Sequence, residues 1–192
     1  MEQAYTEDET FTGIDFTKDG LIKGDYESCT FIGCDFSNTH FNHILFSECT
    51  FTDCNLSMVN LSKTTFRDVV FKGCKMLGLN FDDCDKYGVS VSFEDCILNH
   101  ASFFQHIVKK TTFKNTQLHE VDFSQADLSH SIFNNCDLLG ATFDNTNIEK
   151  ADFRTAFNYS INLVKNKHKK AKFSLPGIIG LLDEFDIEIE GK

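Results

Sequence analysis

The chain has no Trp, a single Pro and no apolar run approaching the ~18 residues of a membrane span, so a transmembrane protein is excluded. Basic residues are scarce: 18 Lys and Arg stand against 29 Asp and Glu, a formal net charge of −11. Nucleic acid and anionic lipid are bound through clustered Lys and Arg, so this balance argues against both and favours a basic partner. Residues 1–10 carry Glu2, Glu7, Asp8 and Glu9 and lack the basic start and apolar core of a signal peptide, which makes the cytoplasm the expected compartment. In a reducing compartment the eight Cys are expected as free thiols. No HExxH, CxxC, P-loop, GxGxxG or GxSxG motif occurs, and the seven His show no ligand spacing. The expectation is a protein without metal, cofactor or catalytic residues.

What is present is a period of five. A large apolar residue returns at Phe11, Phe16, Leu21, Tyr26 and Phe31, and continues in step to Phe81; after a slip of two residues it resumes at Phe93 and runs to Phe153. With Phe173 included, 18 of the 21 Phe occupy this central position, which neither a helical period of 3.6 nor a strand period of 2 produces. Two residues earlier sits a small residue, and seven of the eight Cys fall there, among them Cys34, Cys54, Cys74, Cys96 and Cys136. Asp or Asn often precedes the centre, and Ser or Thr often follows it.

Two inward residues in every five suit a chain that turns a corner every five residues and stacks its turns. Read with four corners to a coil, the sequence aligns Phe11, Phe31, Phe51, Phe71, Phe93, Phe113, Phe133, Phe153 and Phe173 in one column. The neighbouring small-residue column demands the same two-residue insertion. About eight coils at the ~4.8 Å inter-strand spacing make a rod roughly 40 Å long.

These residues resemble the pentapeptide repeat family, whose pattern of small residue, Asp or Asn, Leu or Phe and two polar residues is matched from Phe11 to Phe173. The resemblance implies an all-β, right-handed quadrilateral β-helix. It also sets the expected organisation: an N-terminal cap at 1–10, the β-helix at 11–173 with a small loop near 82–92, and a C-terminal helix and tail at 174–192.

The departures from the pattern mark candidate sites. Segment 82–92 holds the two extra residues, with Tyr87 and Gly88 at the expected tip; it reads either as a tolerated insertion or as a partner-binding projection anchored by Tyr87. Ser174 and Pro176 suit the start of a helix, and Ile178, Leu181, Leu182 and Phe185 follow a helical stripe that would cap the last coil or join a second copy. Asp186 to Glu190 alternates like a short edge strand.

Charge is uneven. Residues 1–85 hold 15 acids and 6 bases, 86–155 hold 9 and 6, and 156–192 hold 5 and 6. Asp15, Asp25 and Asp35 in the acidic half are candidate partner-binding residues. Within the family, the GVSV at 88–91, the LLGATF at 138–143 and the GLLDEFDIEI at 180–189 resemble the quinolone-resistance (Qnr-type) and mycobacterial fluoroquinolone-resistance proteins. That resemblance implies a homodimer joined at C-terminal ends, occupying the DNA groove of DNA gyrase or topoisomerase IV by mimicry of DNA. The second, larger loop typical of Qnr-type proteins is absent. The alternative is a binding scaffold of the same fold with another protein partner.

Overall fold

The structure, a computed structural model, describes residues 4–85, 88–185 and 187–190. Each group of five residues contributes one side of a square coil, because one residue in five adopts the left-handed conformation and turns the chain. At one corner the turning residues are Gly13, Gly33, Asp53, Gly73, Asp95, Asn115 and Asn135, all at φ between 50° and 62°. These are the residue types for which that region costs least. With a corner every five residues, no strand exceeds four.

Among the described residues eleven short strands result: β1 (Ala4–Glu7), β2 (Thr10–Thr12), β3 (Gly24–Glu27), β4 (Thr30–Ile32), β5 (Leu45–Ser47), β6 (Thr50–Thr52), β7 (Thr65–Arg67), β8 (Val69–Lys72), β9 (Val91–Glu94), β10 (Thr112–Lys114) and β11 (Ile132–Asn134). All pair in parallel. Strands β2, β4, β6, β8, β9, β10 and β11 form the first side of the rod, and β1, β3, β5 and β7 the fourth. The second and third sides are laddered by single bridges, such as Asp15 to Asp35 and Asn80 to Ser102. The fold is the all-β quadrilateral β-helix expected from the period.

The pairing register is the one the Phe column requires: Phe11, Phe31, Phe51 and Phe71 lie opposite one another, and Phe71 pairs with Phe93 across the insertion. The strands of the first side span six turns, fewer than the eight coils of the column. The rest is held by bridges from Ile132 to Asp152 and on to Lys172, where the hydrogen bonding is too sparse for a strand.

Inside, the nine Phe rings of this column stack with centroids 4.6–5.4 Å apart and planes within 20°. Rings from the opposite side meet them edge-on, as Phe103 and Phe123 meet Phe113 at 89° and 78°. Both geometries suit aromatic quadrupoles. All eight Cys are buried and free. The column thiols donate to carbonyl oxygens one coil back, Cys54 to Phe31 and Cys136 to Phe113. Burial pushes the Cys49 thiol up to about 11 and that of Cys136 to about 12, so both stay protonated and unreactive. His106 is buried at an inward small-residue position.

Four expectations need amendment. Residues Ala4–Glu7, placed in a cap before the repeat, pair as β1 with Gly24–Glu27 and are the first rung of the fourth side. The departure at 82–92 is narrower than expected: a 3₁₀ turn at Phe81–Asp83 keeps Phe81 in the core, and Val91 already pairs in β9. The C-terminal helix is a 3₁₀ segment, Pro176–Leu181, capped by Leu175 rather than Ser174, although Ser174 Oγ accepts from the Gly177 N–H. Of the tail expected as an edge strand, 187–190 are described and form none; Asp186 lies outside the described residues.

Candidate interaction surfaces

The Asp or Asn before each centre has a local task. Its side-chain oxygen accepts the backbone N–H two residues on: Asp15 from Thr17 at 3.0 Å, Asp35 from Ser37 at 2.9 Å, Asp122 from Ser124 at 2.8 Å. Asn55 and Asn60 do the same with Ser57 and Ser62. These are Asx turns, for which an amide serves as well as a carboxylate. The recurrence of Asp in the repeat is therefore first a device for closing each side.

The charge that turn carries still matters to stability. Hydrogen bonds from the Thr17 hydroxyl and N–H hold the Asp15 carboxyl below its usual range. The Arg154 guanidinium, 2.7 Å away, does so at Asp152. At Asp137 burial works against the charge, but the hydrogen bonds of His119, at 2.8 Å, and Asn158 outweigh it. A carboxyl with a depressed native pKa contributes stability that is present above its unfolded value, about 3.9, and is lost as pH falls through the native value. Thermal unfolding is thus expected to hold steady above about pH 5 and to weaken below about pH 4. Asp152→Asn keeps the turn and removes the pairing with Arg154, so it should flatten part of that acid limb; an unchanged limb would show that Asp152 does not contribute to it.

The structure separates the three acids expected to act together. Asp15 and Asp35 are stacked neighbours on the second side, in a column that continues through Asn55, Lys75 and Ile97. Asp25 lies in β3 on the fourth side, half a coil away and across the rod, opposite Tyr5 and Leu45. Gly88 is exposed at φ +78°, the left-handed region expected of the loop tip. Tyr87 lies outside the described residues.

The C-terminal residues do converge. Ile178, Leu181, Leu182 and Phe185 surround one apolar hollow with Leu163 and Val164. Val164 is 87 % and Phe185 55 % exposed, so the end of the rod presents open apolar surface. The last coil also departs inward: Asn158 takes the left-handed conformation where a centre is due, and Tyr159 turns into the core against Phe153 and Phe173.

One pattern escaped the reading by pentads. The corner between the fourth and first sides carries Asp8, Ser28, Glu48, Asp68, Ser90, Lys110, His130, Lys150 and Lys170 in successive coils. Acids occupy its N-terminal half and bases its C-terminal half. Writing the sequence in rows of twenty exposes it; a segment-by-segment charge sum does not. Among the described residues, no three or more His, Cys, Asp or Glu converge as metal ligands, and no helix is long and apolar enough to cross a membrane.

Among solved structures, full-length QnrB1, described as a plasmid-mediated fluoroquinolone resistance protein, aligns at TM-score 0.62 and 14 % identity, over 96 % of this chain and 100 % of that one. HetL, a pentapeptide repeat protein involved in heterocyst differentiation regulation from the cyanobacterium Nostoc sp. strain PCC 7120, aligns at TM-score 0.65 and 16 % identity, over 90 % and 87 %. At these identities the likeness is one of fold. No curated protein sequence matches the chain. The family model of the pentapeptide repeat region matches residues 25–103 and 89–153, the larger part of the chain, and the coil geometry is the one its repeats build, so the chain belongs to the pentapeptide repeat family.

Proposed function

We propose that the protein is a non-catalytic binding rod that mimics DNA toward DNA gyrase or topoisomerase IV and protects the enzyme from fluoroquinolones. The observation that carries this reading is the partition of charge: residues 1–85, the N-terminal half of a rigid rod, hold 15 acids against 6 bases. Duplex DNA carries one charge per ~1.7 Å, and a slender rod with carboxylates on several sides offers a basic groove a similar, if weaker, field. The fold shared with QnrB1 supports it. The apolar hollow around Ile178 and Leu182 is the docking end for a second copy, which would double the rod.

The separation of the acids makes the test resolve sides. Supercoiling by purified gyrase is titrated with this protein, with and without a fluoroquinolone. Wild type is expected to restore supercoiling in the drug's presence. Asp15→Asn with Asp35→Asn, which preserves the turns, removes two carboxylates from the second side; Asp25→Asn with Glu27→Gln removes two from the fourth. One pair should weaken protection at least about tenfold while the other leaves it intact, because a groove that grips a rod touches one side more than its opposite. No restoration by folded wild type at any concentration would sink the reading.

The fold shared with HetL favours a second reading, a scaffold of the same shape for a different protein partner. Such a protein would leave gyrase unaffected and would be captured by its own partner in a salt-dependent manner if the acids are used.

A further inference from the structure

The last coil has a property that neither reading uses. Residues 165–172 read KNKHKKAK, so five of the chain's 18 Lys and Arg fall within eight residues that hold no acid. The period explains where they go. Asn166 and Ala171 take the inward small-residue positions, and Lys165, Lys167, Lys169, Lys170 and Lys172 are left outward and exposed. Lys167 bridges to Asn147 on the fourth side and Lys172 to Asp152 on the first, with Lys170 turning the corner between them at φ 61°. Lys150 holds the same corner one coil above.

The backbone that carries these side chains is tied to the coil above. The N–H groups of Lys167 and Lys172 donate to Thr146 and Ala151, and the carbonyls of Lys167 and Lys169 accept from Ile148 and Lys150. Asn166 locks the coil from inside: its amide donates to the Phe143 carbonyl at 2.9 Å and accepts the Thr146 N–H at 2.7 Å. The charges themselves are largely uncompensated. Lys165 meets Glu184 and Lys172 meets Asp152, each at 3.7 Å, and Asp152 already holds Arg154 at 2.7 Å. Lys150, Lys167, Lys169 and Lys170 have no ion pair among the described residues. None of these four lines the apolar hollow.

We infer that the lysines of the last coil form a binding site for the phosphate backbone of nucleic acid, which crosses the rod at its C-terminal end. A net charge of −11 conceals such a site, because phosphate contacts depend on local clustering of bases. Protein interfaces are depleted in Lys and anchored by aromatic or apolar centres, and residues 165–172 contain neither an aromatic nor a large apolar residue. An anionic bilayer fits less well, since a plane laid along the fourth side would also meet Glu7, Asp25, Glu27 and Glu149, and one met end-on would face the exposed Asp183, Glu184, Glu188 and Glu190. A nucleic acid crossing the last coil avoids both sets of acids. Lys offers phosphate a point charge and reads no base edge, so binding is independent of sequence. The inference does not rest on any contact with gyrase.

Two variants of equal net charge test it. One carries Lys167→Gln, Lys169→Gln and Lys170→Gln; the other carries Lys63→Gln, Lys72→Gln and Lys75→Gln, three exposed bases of the N-terminal half. Both should fold, since Gln already occupies left-handed corners at Gln105 and Gln125, and circular dichroism checks this. Fluorescence anisotropy follows a labelled DNA duplex of arbitrary sequence. Wild type should bind at 50 mM salt and weaken on the order of 100-fold by 200 mM, as about four phosphate contacts require. The first variant should bind at least about tenfold more weakly at 50 mM, with a salt slope reduced by about 2.7, whereas the second should stay within about twofold of wild type. A folded wild type that does not bind the duplex at 50 mM salt, or equal losses in the two variants, would overturn the inference. So would vesicles of three parts phosphatidylcholine to one of phosphatidylserine that capture wild type but not the first variant while the duplex stays free, which would assign the lysines to a membrane.

Discussion

Replacing Phe113 by Ala is expected to cost about 3–5 kcal/mol of unfolding free energy, a large share of the ~5–15 kcal/mol a domain of this size possesses. The ring is fully buried. It stacks on Phe93 and Phe133 at 5.1 and 4.9 Å and receives the edges of Phe103 and Phe123. Its removal opens a void that the coil cannot close, because the corners above and below are tied by backbone hydrogen bonds to both neighbouring coils. Stability in a solenoid is a sum of nearest-neighbour terms, so a void in a middle coil weakens the coupling between the two halves of the rod. Urea denaturation followed by circular dichroism measures the loss as a lower midpoint, and a loss of cooperativity would show as a reduced slope. Phe104→Ala is the matched control. Phe104 is the outward neighbour of Phe103 and is 36 % exposed, so its truncation should stay within about 0.5 kcal/mol. Equal effects at the two positions would refute the assignment of inward and outward residues on which the core rests.

That assignment was legible in the sequence because it depends on covalent repetition. Phe103 and Phe104 are adjacent and chemically identical, yet only one keeps the period, and the period alone separated them. The Cys columns were legible for the same reason, since a small residue two before each centre has one place to go. The roles of the acids were not. Whether Asp35 serves a partner or its own turn depends on a hydrogen bond to the Ser37 N–H, and the presence of Asn55 at the same position of the next coil was the available hint. Whether Asp15 and Asp25 act together depends on which sides they occupy, and ten residues is half a coil. The charge-reversing corner required reading at the coil period of twenty rather than the repeat period of five. At the C-terminus the spacing of Ile178, Leu181, Leu182 and Phe185 identified the residues that share a surface, but that spacing is close enough to three residues per turn that it did not distinguish an α-helix from the 3₁₀ segment. Gly177 and Gly180 let the segment lie directly on the last coil, where a Cβ at either position would collide with Tyr159.

Gly180→Val should release that segment from the rod. The Gly180 carbonyl accepts the Ile161 N–H at 2.8 Å, so the two backbones touch. A Cβ at 180 would lie 1.9 Å from the Tyr159 carbonyl oxygen, a backbone atom that cannot move aside without dismantling the last coil. Val adds two methyl groups to the same collision. The expected result is a chain whose coils remain folded while residues 175–185 detach, which exposes Tyr159 and Ile161, now 4 % and 1 % accessible. Hydrogen exchange measures this directly: the Ile161 amide should lose protection by at least about 100-fold, while the amides of Phe71 and Phe113, in the middle of the first side, keep theirs. If the C-terminal hollow joins two copies, detaching Ile178, Leu181 and Leu182 abolishes that dimer. Unchanged protection at Ile161 would mean that the segment does not rest on the last coil through Gly180, and the cap would then have to be built from other contacts.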